Sequence, residues 1–166
     1  MKKYVITLVA LLAFVFTSCE GYSADEILLF GNSDFEMRLG IEFDGGEYDV
    51  VMKKEGKRCD MLVDNNYTFV YDGGSWLIRS GNYEFPVSND AFCDSLPQKM
   101  IDVIMTNILN AWKITAEEIN GERVFLCDCI SSNVLITVDA ETKIPVEFSD
   151  DGFLATVKSY KPIVVQ

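Results

Sequence analysis

The stretch FEMRLGIEFDGGEYDVVM, residues 35–52, decides the fold class. Every second residue from Phe35 to Phe43 is apolar, and the residues between them are charged or glycine, which predicts a half-buried β-strand. Residues 44–46 (DGG) have the composition of a tight turn, and the alternation then resumes from Tyr48 to Met52. The stretch therefore predicts a β-hairpin with one apolar face.

The same pattern extends to residue 160, with one helical interruption. Short turn sequences separate alternating segments up to residue 87, and connections this short join antiparallel strands. After residue 88 the apolar period becomes helical, and Asn89 or Asp90 is the expected cap. The stripe that this helix is predicted to bury comprises Ile101, Ile104, Met105, Ile108 and Trp112. Strands resume at residue 114, so we predict about ten antiparallel strands around one amphipathic helix.

One later strand has an unusual pattern. From Val124 to Ile130 both alternating faces are largely apolar, which predicts a strand that is covered on both sides. Asp128 alone interrupts one of these faces, and it is either a group at the rim of a cavity or a strand-end residue that reaches water. The arginines of the predicted strands are expected to face solvent: Arg38, Arg58, Arg79 and Arg123.

The first nineteen residues have the layout of an export signal. Lys2 and Lys3 precede an apolar run that is too short for a stable membrane span, and the run ends at the tetrapeptide FTSC, residues 16–19. The tetrapeptide resembles the lipobox of bacterial lipoproteins, which implies removal of residues 1–18 as a signal peptide and acylation of Cys19. Ordinary signal cleavage after Ser23 or Ala24 is the alternative.

This organisation predicts two parts in the mature chain. Residues 19–31 form the lipidated N-terminus, as a tether or as a short helix from Ala24 to Phe30, and residues 32–166 form a single domain. An anchor of two or three acyl chains holds a soluble domain on a membrane almost permanently. We therefore expect an exported protein that is lipid-anchored to a bacterial membrane on its extracytoplasmic side.

The chain is strongly acidic. It has 26 acidic and 14 basic residues, and loss of Lys2 and Lys3 with the signal moves the formal net charge from −12 to −14. Such a balance repels phosphate backbones and disfavours adhesion to anionic headgroups. Nucleic acid is therefore excluded as a partner, and membrane binding is left to the lipid anchor.

The chain contains no histidine, which removes the Ser-His-Asp triad, the Cys-His dyad and the commonest zinc ligand. The aspartates available for acid-base chemistry mostly lie in predicted turns or on polar faces: Asp72, Asp94, Asp102, Asp128, Asp150 and Asp151. None of the acidic turns has the spacing of a dedicated calcium loop. We therefore expect no enzymatic activity, no cofactor and no metal site.

Four cysteines lie in the predicted domain: Cys59, Cys93, Cys127 and Cys129. Outside the cytoplasm four cysteines suggest disulfides, with three complete pairings. Cys127 and Cys129 are not expected to pair with each other, because side chains two residues apart in a strand are parallel and at the edge of disulfide reach. Buried thiols, in an organism that does not oxidise its exported proteins, are the equal alternative.

The end of the chain carries a family resemblance. Residues 138–146 (VDAETKIPV), 150–152 (DDG) and 157–160 (VKSY) resemble the closing strands of the LolA, LolB and LppX group of lipoprotein carriers and lipid-binding lipoproteins. There an aspartate ends one strand, a proline opens the next, and a final hairpin closes the sheet. The resemblance implies a mainly β (α+β), incomplete antiparallel barrel, of about ten to eleven strands here, whose inserted amphipathic helix plugs its open side. It also implies an apolar cavity that accepts acyl chains.

Inward-facing residues are the candidates for the wall of such a cavity. We predict this lining from the strands and the helix: Phe35, Met37, Leu39, Ile41, Phe43, Tyr48, Val50, Met52, Phe69, Trp76, Ile104 and Ile108. The resulting hypothesis is an anchored protein that binds lipid or lipoprotein acyl chains as a carrier or acceptor. The alternative is a non-enzymatic interaction module with a filled barrel, which docks a partner protein of the cell envelope.

Overall fold

The computed structural model describes residues 25–120, 122–129, 132–139 and 141–164. The predicted signal peptide and Cys19 lie outside the described residues. In chain order the regular elements are α1 (Asp25–Asn32), β1 (Phe35–Phe43), β2 (Gly46–Glu55), β3 (Arg58–Val63), β4 (Tyr67–Asp72), β5 (Ser75–Ser80), β6 (Tyr83–Val87), a 3-10 helix (Asn89–Phe92), α2 (Leu96–Ile101), a π-helical turn (Asp102–Thr106), α3 (Asn107–Asn110), β7 (Lys113–Ile119), β8 (Glu122–Asp128), β9 (Asn133–Asp139), β10 (Pro145–Asp150) and β11 (Phe153–Pro162). We call the continuous helical stretch from Leu96 to Asn110 the inserted helix.

All eleven strands belong to one antiparallel sheet, in the order β6-β5-β4-β3-β2-β1-β11-β10-β9-β8-β7. The first and last strands pair in the middle of the sheet, from Phe35 opposite Pro162 to Phe43 opposite Phe153. Within the described residues, β6 and β7 each have one neighbouring strand and form the two edges. The predicted fold class, an incomplete antiparallel barrel of ten to eleven strands with an inserted helix, is confirmed.

The inner face of the sheet carries the core. Met37, Met52 and Met61 lie side by side on neighbouring strands and are each 0% exposed. They form one apolar cluster with buried residues of the inserted helix, among them Met100 and Ile104. Because the alternation places every second side chain on this face, the helix covers a continuous apolar layer. The strand alternation predicted from Phe35 onward is therefore confirmed.

The inserted helix begins later than the sequence pattern predicts. Asn89 opens the short 3-10 helix, whereas Ser95 is the cap of α2, with its Oγ accepting a hydrogen bond from the Gln98 N–H at 3.5 Å. The caps predicted at Asn89 or Asp90 are therefore wrong for the α-helix. Proline at residue 97 suits the first turn of α2, where its missing N–H costs nothing.

The predicted helical stripe is correct up to Ile108 and wrong at Trp112, whose side chain is 71% exposed. The π-helical turn, in which the Asn107 N–H donates to the Asp102 carbonyl, shifts the register of the helix and buries three consecutive residues, Val103 to Met105. The helix then ends at Asn110. The Trp112 N–H donates to the Asp128 carbonyl at 3.1 Å, so Trp112 already belongs to the approach to β7.

Strand β8 is covered on its inner face only. Phe125 and Cys127 are buried there, while Val124 and Leu126 are partly exposed on the outer face. The prediction that β8 is covered on both sides is therefore wrong, because the inserted helix and the core lie on the same side of the sheet. By alternation Asp128 is on the outer face at the end of β8, which agrees with the alternative of a strand-end residue that reaches water and not with a group at a cavity rim.

Four charged residues on the outer face form a closed ring across β3, β5 and β6. Arg58 contacts Asp60 at 3.1 Å and Glu84 at 2.5 Å, and Arg79 contacts the same two carboxylates at 2.7 and 2.8 Å. Hydrogen bonds from the two arginines hold the pKa of Glu84 below its usual range. Both arginines were predicted to face solvent, and about a third of each side chain does so. Their shared carboxylates link the three strands.

The described cysteines are free thiols. Cys59 and Cys127 are buried in the core, where desolvation raises the pKa of each thiol to about 12. A thiol with so high a pKa carries almost no thiolate at neutral pH and is inert. Cys93 is exposed beside the inserted helix. The structure therefore shows buried thiols at Cys59 and Cys127, whereas Cys93 and the partly buried Cys129 differ from the expectation that all four thiols are buried.

Candidate functional site

Helix α1 lies against the C-terminal half of the sheet and is held there by aromatic contacts. The Phe30 ring stacks on Phe35, with ring centroids 5.2 Å apart, and also meets Phe148 at 5.6 Å and Tyr160 at 5.9 Å. Gly31 permits a close approach to the inserted helix, because a Cβ atom there would lie 3.0 Å from a Leu109 side-chain atom. The helix is thus packed on one side and leaves a gap on the other.

That gap is an apolar cleft of about 330 Å³ between α1 and strands β8 to β11. Its walls are contributed by the helix, the four strands and the loop before β10: Ile27, Phe30, Ser33, Phe125, Val138, Lys143, Pro145 and Tyr160. Six of these residues are apolar or aromatic, and the other two are Ser33 and Lys143. The volume is at the lower end of the range of about 300–1,000 Å³ that is usual for small-molecule sites.

A buried lysine fixes the end of α1 beside the cleft. Lys54 is 4% exposed, and its Nζ donates to the Ser33 carbonyl at 2.8 Å and lies 3.7 Å from an Asp34 oxygen. The same Asp34 oxygen accepts the Gly56 N–H at 2.7 Å. Because a buried ammonium needs such partners, these contacts tie the turn after α1 to β2. Ser33, which lines the cleft, is therefore held in place by the contact of its carbonyl with Lys54.

The opposite wall of the cleft ends in a tight turn around Asp139. Its Oδ1 accepts hydrogen bonds from the Thr142 N–H at 2.6 Å and the Thr142 hydroxyl at 2.7 Å, and these bonds hold the pKa of the carboxyl below its usual range. Lys143 follows with a left-handed backbone, φ 62°, and is an exposed residue of the cleft lining. On the inner side, burial raises the pKa of the Tyr160 phenol. A cleft with mostly apolar walls suits an acyl chain.

A second and larger cleft lies at the other end of the inserted helix and is polar. Its volume is about 870 Å³, and its walls come from the β1–β2 turn, the inserted helix with the residues before it, and the β10–β11 turn: Phe43, Asp44, Gly45, Cys93, Asp94, Gln98, Lys99, Asp102, Asp151 and Gly152. Desolvation raises the pKa of Asp102, although a hydrogen bond from Gln98 opposes this effect. Within the part of the chain that the structure describes, no group of three or more acidic or thiol side chains is placed to hold a metal ion.

The residues predicted to line a cavity are mainly core residues. Nine of them are at most 2% exposed and belong to the apolar cluster: Phe35, Met37, Leu39, Ile41, Val50, Met52, Trp76, Ile104 and Ile108. Phe43, Tyr48 and Phe69 are partly buried against the same cluster, and Phe43 also lines the polar cleft. None of the twelve lines the apolar cleft. Their role in ligand binding stays a prediction.

The sequence reasoning did not identify the residues that line the apolar cleft. Ile27 and Phe30 were placed in a possible short helix, and Val138, Pro145 and Tyr160 were quoted only for the family resemblance. The available signal was the spacing of Ile27 and Phe30, three residues apart and therefore on one helical face. That spacing shows an apolar helix face, but it does not show which part of the sheet the face meets.

Comparisons with known proteins give a distant likeness. No protein-family model matches the chain, and no curated protein matches its sequence. The crystal structure of MucB matches with 11% sequence identity and a TM-score of 0.49 over 86% of this chain and 58% of that chain. The crystal structure of MucB in complex with MucA(peri) matches with 10% identity and a TM-score of 0.42, over 86% of this chain and 55% of that chain. The chain thus spans less than two thirds of the length of either match, and the likeness assigns neither a family nor an activity to it.

No helix among the described residues is both long enough and apolar enough to cross a membrane.

Proposed function

We propose that this protein is an extracytoplasmic, membrane-anchored binding protein that holds an acyl chain in the apolar cleft beneath α1. The observation that carries the proposal is the cleft itself, whose mostly apolar walls come from α1 and from strands β8 to β11. Binding of this kind is driven by burial of apolar surface and needs no catalytic group. The protein acts as a carrier or acceptor of lipid and not as an enzyme.

The position of the cleft supports a function at the membrane. Five residues lie between Cys19, the proposed acylation site, and Asp25 at the start of α1. Even fully extended, this segment spans about 20 Å. The anchor therefore holds α1 and the cleft close to the membrane surface, where acyl chains are concentrated.

Substitution of Val138 by tryptophan is expected to abolish acyl binding. Val138 lies on the cleft side of β9 and is 4% exposed, so a larger side chain occupies the cleft volume. Residues 20–166 are purified without detergent, mixed with fatty acid or with phospholipid, and measured by native mass spectrometry. We expect one bound lipid per wild-type chain and none on the V138W chain.

The matched control lies on the same strand and the opposite face. Leu135 is 42% exposed and is not part of the cleft wall, so L135W is expected to bind lipid like the wild type. Equal lipid binding by V138W, L135W and wild type would show that acyl chains bind elsewhere. A wild-type chain that takes up neither lipid would leave the filled-barrel interaction module as the function.

Replacement of Cys19 by alanine is expected to release the protein from the membrane. A thioether-linked diacylglycerol requires the cysteine sulfur, and no other feature of this acidic chain attracts it to anionic headgroups. The measurement is fractionation of cells that express the wild type or C19A, followed by mass analysis of the N-terminal peptide. Membrane association that is unchanged in C19A would refute acylation at this residue.

A further inference from the structure

The two edges of the sheet differ in what their backbones offer to another strand. In the β5–β6 hairpin, Ser80 and Tyr83 close a two-residue loop, so the backbone groups of Glu84 and Pro86 point away from β5. Proline has no N–H, and Glu84 therefore supplies the outward donor of this edge. A proline at an edge strand is a common protection against pairing. The β6 edge is therefore less able to pair with another strand.

The β7 edge contains no proline. The Cys129 N–H donates to the Ser132 carbonyl at 3.0 Å, so these two residues form a hydrogen-bonded pair. In the register of β8 with β9, the backbone N–H and C=O groups of the odd-numbered β8 residues therefore point to β9, and those of the even-numbered residues point to β7. In the register of β7 with β8, the outward-pointing backbone groups belong to Ile114, Ala116 and Glu118. None of these residues is proline, so the backbones of Ile114 and Ala116 each direct a donor and an acceptor away from β8.

We propose that the β7 edge pairs with the β7 edge of a second copy of this chain, around a two-fold axis at Thr115. In this register Ile114 lies opposite the second copy's Ala116, and both residues have outward backbone groups, as a hydrogen-bonded antiparallel pair requires. Lys113 lies opposite the second copy's Glu117, once on each side of the axis. Both of these side chains are exposed on the outer face of the sheet.

Charge complementarity selects this register. A two-fold axis at Ala116 would set Ile114 opposite Glu118 and Lys113 opposite Ile119, and it would pair no opposite charges. With the axis at Thr115, two lysine–glutamate pairs form directly across the strands, where opposite charges contribute about 0.2–1 kcal/mol each. These local pairs act against the general repulsion between two acidic chains, which salt screens beyond about 10 Å at 0.1 M.

The proposed interface is small, so the fraction of paired chains depends on their local concentration. Pairing of two seven-residue edges buries less than the roughly 1,200 Å² of a stable protein–protein interface, so the contact is transient in dilute solution. Anchoring on one membrane raises the effective concentration of the copies and favours the pair. The dimer is therefore best detected in cells and not with dilute purified protein.

The test is cysteine cross-linking of the full chain in intact cells, in a C93S background that removes the exposed native thiol. T115C places two thiols across the axis, in a non-hydrogen-bonded pair where side chains are closest. We expect T115C to form a disulfide-linked dimer under mild oxidation. K113C alone and E117C alone are expected to remain monomeric, whereas the K113C/E117C double variant forms the dimer.

A proline variant provides a second readout. Ala116 has an outward N–H in each copy, so A116P removes two inter-copy hydrogen bonds, one from each copy, and reproduces at β7 the protection that Pro86 gives to β6. We expect at least a tenfold loss of the T115C cross-link in A116P/T115C, while the midpoint of its thermal unfolding stays within a few degrees of T115C.

Three outcomes would overturn the proposal. These are a T115C chain that stays monomeric, equal cross-linking by the three single cysteine variants, and a T115C product whose mass corresponds to a different protein. The first two would show that the register does not occur, and the third would assign the β7 edge to another partner.

Discussion

Substitution of Lys99 by methionine is expected to lower the free energy of unfolding by about 3 kcal/mol, because it leaves a buried carboxylate without its cation. The Lys99 Nζ lies 2.7 Å from an oxygen of Asp150, and only 5% of the Asp150 side chain is exposed. The other Asp150 oxygen retains the Asp151 N–H at 2.8 Å, so the loss stays at the lower end for a broken buried pair. The measurement is urea unfolding followed by circular dichroism.

A second ion pair provides the matched control. Lys158 lies 3.0 Å from Asp49, but 51% and 41% of these side chains are exposed. Solvent screens such a pair, so K158M is expected to change the free energy of unfolding by less than about 1 kcal/mol. In K99M/D150N the buried charge is also removed, and most of the lost stability should return. Equal losses in K99M and K158M would contradict the role given to burial.

Substitution of Met52 by tryptophan is expected to destabilise the fold by about 3 kcal/mol, because the interior at this position is already filled. Met52 is 0% exposed and lies between Met37 and Met61 on the inner face, under the inserted helix. A close-packed core accepts a larger side chain only through strained rotamers or backbone shifts. The same urea experiment measures the change, with M52L as a control of similar volume that should cost less than about 1.5 kcal/mol.

The M52W variant also distinguishes a barrel with a filled interior from a barrel that holds a ligand between the sheet and the inserted helix. Met52 does not line the cleft beneath α1, so the folded fraction of M52W should bind an acyl chain as the wild type does. An M52W chain that keeps wild-type stability and loses acyl binding would instead show that the ligand occupies the space between the sheet and the inserted helix. That result would restore the cavity that the sequence predicted around Phe35 to Met52.

Local sequence patterns predict the strands of this protein better than they predict its candidate site. Alternation and turn residues specify strands directly, and the inner positions from Phe35 to Ile41 are buried as predicted. The helix was located, but its last residues were not, because the π-helical turn at Asp102–Thr106 shifts the period and leaves Trp112 exposed. A single inserted residue in a helical turn has no clear signal in apolar spacing.

The lining of a cavity is harder to predict from the sequence, for a related reason. Periodicity identifies which side chains point inward, but it does not distinguish a filled interior from a hollow one. Here buried residues of the inserted helix, among them Met100 and Ile104, join the inner face of the sheet in one core cluster, and the described apolar cleft lies beneath α1 instead. The sequence left two roles open for Asp128, because only the side of the sheet on which the helix packs defines the interior.

The amino-acid sequence by itself determined the antiparallel sheet, the inner and outer positions of its strands, the acidic charge and the absence of histidine. These properties follow from alternation, turn residues and composition, which act over a few residues at a time. Only the tertiary structure decided where α1 packs, which carboxylates are buried beside lysines, and that β6 and β7 form the two edges. Those features depend on contacts between distant residues, such as Phe30 with Tyr160 and Lys99 with Asp150, and no local pattern specifies them.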